Sequence, residues 1–190
     1  MRLAWVLSVT LINSVLVAGA LEARPRKSVP RLRTPAAQRQ EQIERGRRFL
    51  AIAERRLPGQ HIVYRDREVT AFLDQKDPQS PVHDPKIFDW EMDAYPDLKR
   101  LPPERRAHIL VIPNHWRQHV GLNLGSGLRA QDLEVSLRVL RKAEGLAREM
   151  GLLRPRIFIN PPDKISVAYL HVHIIGERDP DRPYPHVADQ

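Results

Sequence analysis

The chain has 190 residues, 42% of them hydrophobic, no cysteine, and a net charge of +8 from 31 Lys and Arg against 23 Asp and Glu. That length and apolar content suffice for one core of ordinary size, and the missing cysteines exclude disulfides and Cys-ligated zinc. The basic balance favours anionic partners, yet much of it sits in an N-terminal arm, where residues 1–40 carry a single acid, Glu22.

Residues 1–20 read as a targeting segment. Arg2 is a minimal positive start, residues 3–16 are mostly apolar, and Ala18-Gly19-Ala20 is a small-residue cleavage signal. A signal peptide leading to the secretory pathway is the first expectation. The second is an uncleaved anchor, the one case in which the chain would meet a membrane. Arginines at 24, 26, 31 and 33 also suit import into a mitochondrion or plastid. Residues 21–35 read as a basic, Pro-rich linker.

A helix is expected over 34–56, with apolar positions at Ile43, Phe49, Leu50 and Ile52. Residues 61–64 and 69–73 alternate about Arg65-Asp66-Arg67-Glu68 and predict a β-hairpin. Residues 78–107 are irregular, with prolines at 78, 81, 85, 96, 102 and 103 among Phe88, Trp90 and Tyr95. The apolar run 108–113 predicts a central strand. Residues 132–150 predict an amphipathic helix, with Leu133, Leu137, Leu140, Leu146 and Ala147 facing inward, Val135 and Val139 on a second surface, and Gly151 as C-cap. Strands follow at 156–160 and 166–176, and the Pro-rich tail 179–190 is expected to be extended. Helix, hairpin, strand, helix, strand, strand is an α+β order with an antiparallel sheet.

The strand expected over 166–176 carries the chemistry. In Tyr169-Leu170-His171-Val172-His173-Ile174 the residues alternate, so Tyr169, His171 and His173 share one face, about 7 Å apart at i, i+2. Paired imidazoles on a rigid strand can attack, shuttle protons or bind a metal. Alone, such a pair is more often incidental than catalytic. Likewise Asp74 and Asn160 would be ordinary turn residues, and Phe49 and Ile52 plain core.

Segments in order change that balance. The run at 166–176 resembles the His-φ-His-φ-His-φ-φ signature of the histidine triad (HIT) superfamily, with Tyr169 in place of the first His. Phe49-x-x-Ile52, Leu57-Pro58 and Ile62-Val63-Tyr64-Arg65-Asp66 resemble the opening of the Hint-like branch, and Ala71-Phe72-Leu73-Asp74 its Ala-Phe-His-Asp segment. His108-Ile109-Leu110-Val111-Ile112-Pro113-Asn114-His115 resembles its His-φ-φ-Val-Ile-Pro-x-x-His. The likeness spans roughly residues 49–178. It implies a HIT-like fold, a five-stranded antiparallel sheet with two helices, in a domain over 36–178.

The same resemblance implies a nucleoside phosphate or phosphoramidate hydrolase, or a nucleotidyl transferase, with a purine nucleotide or nucleoside phosphoramidate as partner. It implies no cofactor, no metal and no nucleic acid. His171 would attack the α-phosphorus, oriented by the backbone carbonyl at the first triad position, which a tyrosine still supplies. His173 would contact the phosphate and assist the leaving group, and His108 would support His173. Ser166 and Asn160 would donate hydrogen bonds, Asp74 would accept from ribose hydroxyls, and Phe49, Ile52, Phe72 and Leu110 would line the base pocket. His83 follows a Pro-Gln-Ser-Pro stretch similar to one in the family, but only His108 precedes the Leu-Val-Ile-Pro run. A homodimer through the 132–150 helix and the 156–160 strand is expected.

Three departures qualify the match: Tyr169 itself, Pro161 and Pro162 where the branch has a longer Gly-rich loop, and an insertion of about 25 residues over 82–107. Two other readings remain open, a nucleotide-binding module with weak turnover and a metal site built from His108, His171 and His173.

Overall fold

The computed structural model describes residues 34–57, 60–87, 90–115, 130–161 and 164–187. The expected targeting segment, nearly all of the basic linker and Phe88 lie outside the described residues. None of the described helices is long and apolar enough to cross a membrane.

Helix α1 runs Pro35–Ala53. Thr34 caps it, its hydroxyl accepting from the Ala37 backbone N–H at 3.2 Å, and Pro35 starts it, where a missing N–H costs nothing. The hairpin follows as β1, Ile62–Arg65, and β2, Val69–Leu73. Asp66 turns it by accepting from the N–H groups of Glu68 and Val69 at 2.7 and 2.8 Å. The insertion folds into a 3-10 turn, Trp90–Ala94, the short helix α2, Pro96–Lys99, and a second 3-10 turn, Pro103–Arg105. Strand β3 is Arg106–Pro113, helix α3 Ala130–Glu149, strand β4 Leu153–Phe158 and strand β5 Val172–Glu177. The five strands form one antiparallel sheet in the order β1-β2-β3-β5-β4, with β3 in the middle as its apolar run predicts. The class is α+β.

Register places the site. Residues directly opposite one another share a face of the sheet. Ile62, Phe72, Leu110, His173 and Phe158 therefore form one row across all five strands. Two residues along each strand, His108 and Arg156 flank Ile175 in the neighbouring row. Helix α1 packs on β2 and β3, and α3 on β3, β4 and β5. Met92 and Leu98 of the insertion join Ile175 in a small cluster against Tyr95, Leu101 and Phe158.

Three expectations are corrected here. Residues 166–171 are not strand; the regular strand begins at Val172. The segment is tied to α1 instead: the Ala168 N–H donates to Gln42 O at 2.8 Å, and the Gln42 amide donates to Ile165 O at 2.7 Å. Gly46 permits this approach, since a β-carbon there would lie 2.7 Å from Ala168 O. Strand β4 begins and ends earlier than expected, with its pairing irregular between Leu153 and Arg156 and Arg154 at φ 49°.

The inward face of α3 is also rotated. Ser136, Val139, Ala143, Leu146 and Ala147 are buried, while Leu133 and Leu137 are 50% and 46% exposed. The true stripe passes through a serine and two alanines, which hydrophobicity underweights, and the larger leucines drew the reading one face round. The C-cap stands as expected. Gly151 takes φ 67°, and its N–H and that of Leu152 donate to Arg148 O and Ala147 O at 2.9 and 3.0 Å, a Schellman closure.

The tail is docked. Tyr184 is buried, the Val187 N–H donates to Ile62 O at 2.8 Å, and the Arg178 guanidinium donates to Arg182 O at 2.9 Å and Asp179 O at 3.2 Å.

Candidate active site

His171 is held from its own chain. Its Nδ1 lies 2.7 Å from Tyr169 O. A carbonyl accepts only, so Nδ1 carries the proton and Nε2 keeps its lone pair. The phenol of Tyr169, fully buried, donates to Pro113 O at 2.7 Å at the end of β3. Tyr169 thereby pins the turn whose carbonyl orients His171. The Phe49 ring on α1 stands edge-on to His171 at 5.4 Å and to Phe72 at 5.5 Å.

His173 is held by side chains. Its Nδ1 lies 3.1 Å from His108 Nε2, and the Phe158 ring stacks on it at 5.0 Å with 6° between planes. The rings of His171 and His173 are 4.9 Å apart. His108, His171 and His173 are all buried. Burial lowers the pKa of His171, partly offset by its bond to Tyr169 O. It holds His173 well below the ordinary histidine range, helped by the nearby His171, His108 and Lys76. Both rings are therefore neutral at pH 7, the state a nitrogen nucleophile needs.

Asp74 approaches from the end of β2. Its Oδ2 lies 3.4 Å from His108 Nε2 and 3.7 Å from Lys76 Nζ. Asn160 is buried after β4, and its Oδ1 has no hydrogen-bond partner among the described residues. Ile52, Phe72 and Leu110 belong to the main core cluster, with Phe49 partly buried against it. Ser166 is exposed. The structure thus brings together His108, His171, His173 and Asp74, with Phe49 and Phe72 beside them. Among the described residues it shows no hydrogen bond from Ser166 to this group. His83 is exposed, its Nδ1 3.0 Å from Gln75 O, and it shares with His108 and Lys76 the lining of a cavity of about 260 Å³ under the insertion. Among the described residues no group of three His, Asp or Glu side chains is arranged to hold a metal ion.

Sequence reasoning missed Phe158, Lys76, Asp77 and Tyr184. Phe158 was readable only as a strand residue, because its partner lies on another strand. Asp77 is fully buried. Its Oδ2 accepts from the His108 backbone N–H at 2.8 Å and from the Tyr184 hydroxyl at 2.9 Å, and its Oδ1 from the Gln79 N–H at 2.8 Å. Burial raises its pKa against these three bonds. An aspartate in a turn and a tyrosine among tail prolines carry no pattern that would have joined them.

No family model and no curated protein matches this chain. Solved structures do. A HIT family hydrolase from Legionella pneumophila Philadelphia 1 is 24% identical over 69% of this chain and 92% of its own, at a TM-score of 0.45. A histidine triad protein from Clostridium difficile is 21% identical over 69% and 90%, at 0.44. A HIT family hydrolase from Clostridium thermocellum is 20% identical over 69% and 90%, at 0.42. The chain is similar to these histidine triad proteins.

Proposed function

We propose that the chain hydrolyses or transfers the nucleotidyl group of a nucleoside phosphate or phosphoramidate through a covalent bond at His171. One observation carries this reading: the 2.7 Å contact from His171 Nδ1 to Tyr169 O presents Nε2 as a neutral nucleophile beside a second, hydrogen-bonded pair of imidazoles. Nε2 forms a bond to the α-phosphorus while the bond to the leaving group breaks. The imidazolium that develops keeps its Nδ1–H on the Tyr169 carbonyl, which stabilises that charge. His173, neutral at rest and coupled to His108, takes up a proton from solvent water and passes it to the departing amine or oxygen, and it accepts a proton back from the water that attacks next. Water then attacks the phosphorus, His171 leaves as neutral imidazole, and nucleoside monophosphate is released. Asp74 receives the ribose hydroxyls, and Asn160 and Ser166 reach the phosphate or leaving group.

The test is adenosine phosphoramidate with an alkaline, denaturing quench. The proposed enzyme releases AMP and yields an acid-labile adenylyl label on the protein that is lost in His171→Ala. Binding of AMP without turnover by the natural protein would instead favour a nucleotide-binding module, a reading to which Tyr169, committed to Pro113 O, lends support.

Assembly as a homodimer belongs to the same proposal, on a changed surface. Leu133 and Leu137 of α3 and Leu153 of β4 are the exposed large apolar side chains of that region, so they, rather than Val135 and Val139, would form the two-fold contact. Export directed by residues 1–20 also remains part of the proposal, and the N-terminal residue of the mature protein tests it.

A further inference from the structure

The backbone of His108 is held in an unusual way. In an antiparallel ladder the N–H and C=O of one residue point to the same neighbour strand. The C=O of His108 accepts from the Asp74 N–H at 2.9 Å. Its N–H points the same way, but β2 has ended at Leu73 and offers no next carbonyl. The Asp77 carboxylate takes that place, accepting at 2.8 Å. His108 is thus clamped at both backbone groups by one turn, and the same turn carries Asp74, whose carboxylate lies 3.4 Å from His108 Nε2.

Asp77 in turn is held from the far end of the chain. The Tyr184 hydroxyl donates to the same Oδ2 at 2.9 Å. Tyr184 is kept there by the tail. The Arg178 guanidinium lies 4.7 Å over its ring, while donating to the carbonyls of Arg182 and Asp179. Val187 then hydrogen-bonds β1. The segment from Arg178 to Val187 therefore runs from the end of β5 to the edge strand β1, and Tyr184 meets the connection between β2 and β3 on the way. A fully buried carboxylate needs its donors, so a tail bond at Asp77 is also a bond on the position of His108.

We propose that the C-terminal tail is a strap of the site, in which Tyr184 and Asp77 are positioning residues that set His108, and through it His173. The proposal rests on the functional reading above for its kinetic consequence, but not for its structural one.

The experiment uses the full chain with Tyr184→Phe, which keeps the ring on Arg178 and removes only the O–H. The His108 backbone amide resonance is expected to shift and its hydrogen exchange to speed about tenfold, one lost bond at ~1.4 kcal/mol. With adenosine phosphoramidate, kcat should fall about five- to tenfold while KM stays within about twofold, since a positioned proton carrier matters to the reaction and not to binding. Asp77→Asn should move the same amide, and the double variant should cost less than the sum of the two. A lower melting temperature with an unmoved His108 amide and unchanged kcat would overturn the strap and leave a merely structural tail. If Tyr184→Phe does not fold, Asp77→Asn decides by the same two readings. If the natural protein does not turn over the phosphoramidate, the functional reading falls, and the amide measurement still decides the strap.

Discussion

The two active-strand histidines are adjacent yet built on different principles. His171 is oriented by a backbone carbonyl two residues away and stands against one ring of α1. His173 is oriented by side chains from β3 and β4, His108 and Phe158. Phe158 is itself braced by the insertion through Tyr95, at 6.2 Å between rings. A carbonyl survives any substitution of its residue, whereas a side-chain partner does not. The proposed nucleophile is therefore tolerant of its neighbours' identity, and the proposed proton carrier is sensitive to residues on three other elements. The insertion acts in the described structure as a buttress.

The contrast can be broken at its strongest point by His171→Ala. Loss of the nucleophile should lower kcat by about 10³-fold or more while AMP still binds; near-normal turnover would dismiss covalent catalysis at this residue. At the other histidine, His108→Ala should lower kcat by about 10- to 100-fold, in the range of a lost acid-base relay. Phe158→Ala should cost about tenfold with a comparable KM, and it should raise the His173 pKa as water reaches the ring, which the imidazole resonances read out by NMR. An unmoved pKa in that variant would mean that the stack does not shield His173.

Tyr169→His sharpens the other side. Because the orienting group is a carbonyl, the rate should change by less than about tenfold, or 1.4 kcal/mol. Stability should drop by about 1–3 kcal/mol if the new ring leaves Pro113 O unpaired, which denaturant titration measures. A gain of several orders of magnitude in rate would instead identify the natural protein as a degenerate binder. The gentlest test is pH. Folding depresses the pKa of both His171 and His173, so the unfolded chain binds more protons between the folded values and the ordinary ~6.5. Stability is then full above that ordinary value and declines as pH falls through it towards the folded ones. Replacing both histidines with glutamine should flatten this slope in denaturant titrations between pH 7 and 5; an unchanged slope would place the acid sensitivity elsewhere.

Much of this molecule was legible in one dimension. Alternation located β1 and β2, the continuous apolar run of 108–113 marked β3 as the central strand, and Thr34 and Gly151 bounded helices, because each of these signals depends on near neighbours in the chain. The pair of histidines and the carbonyl behind His171 are local in the same sense. What failed was non-local or weakly coloured. Helix α3 buries Ser136 and Ala143 rather than Leu133 and Leu137, because the sheet it meets, not hydrophobicity alone, selects its inner face. Residues 166–171 stand off the sheet where Gly46 lets α1 come close enough for Gln42 O to accept from the Ala168 N–H. The partners of His173 and the Tyr184-Asp77-His108 chain join residues separated by as many as 107 positions. No periodicity links such residues, and only the folded sheet, by register and by where β2 stops, brings the Tyr184 hydroxyl to the carboxylate that holds His108.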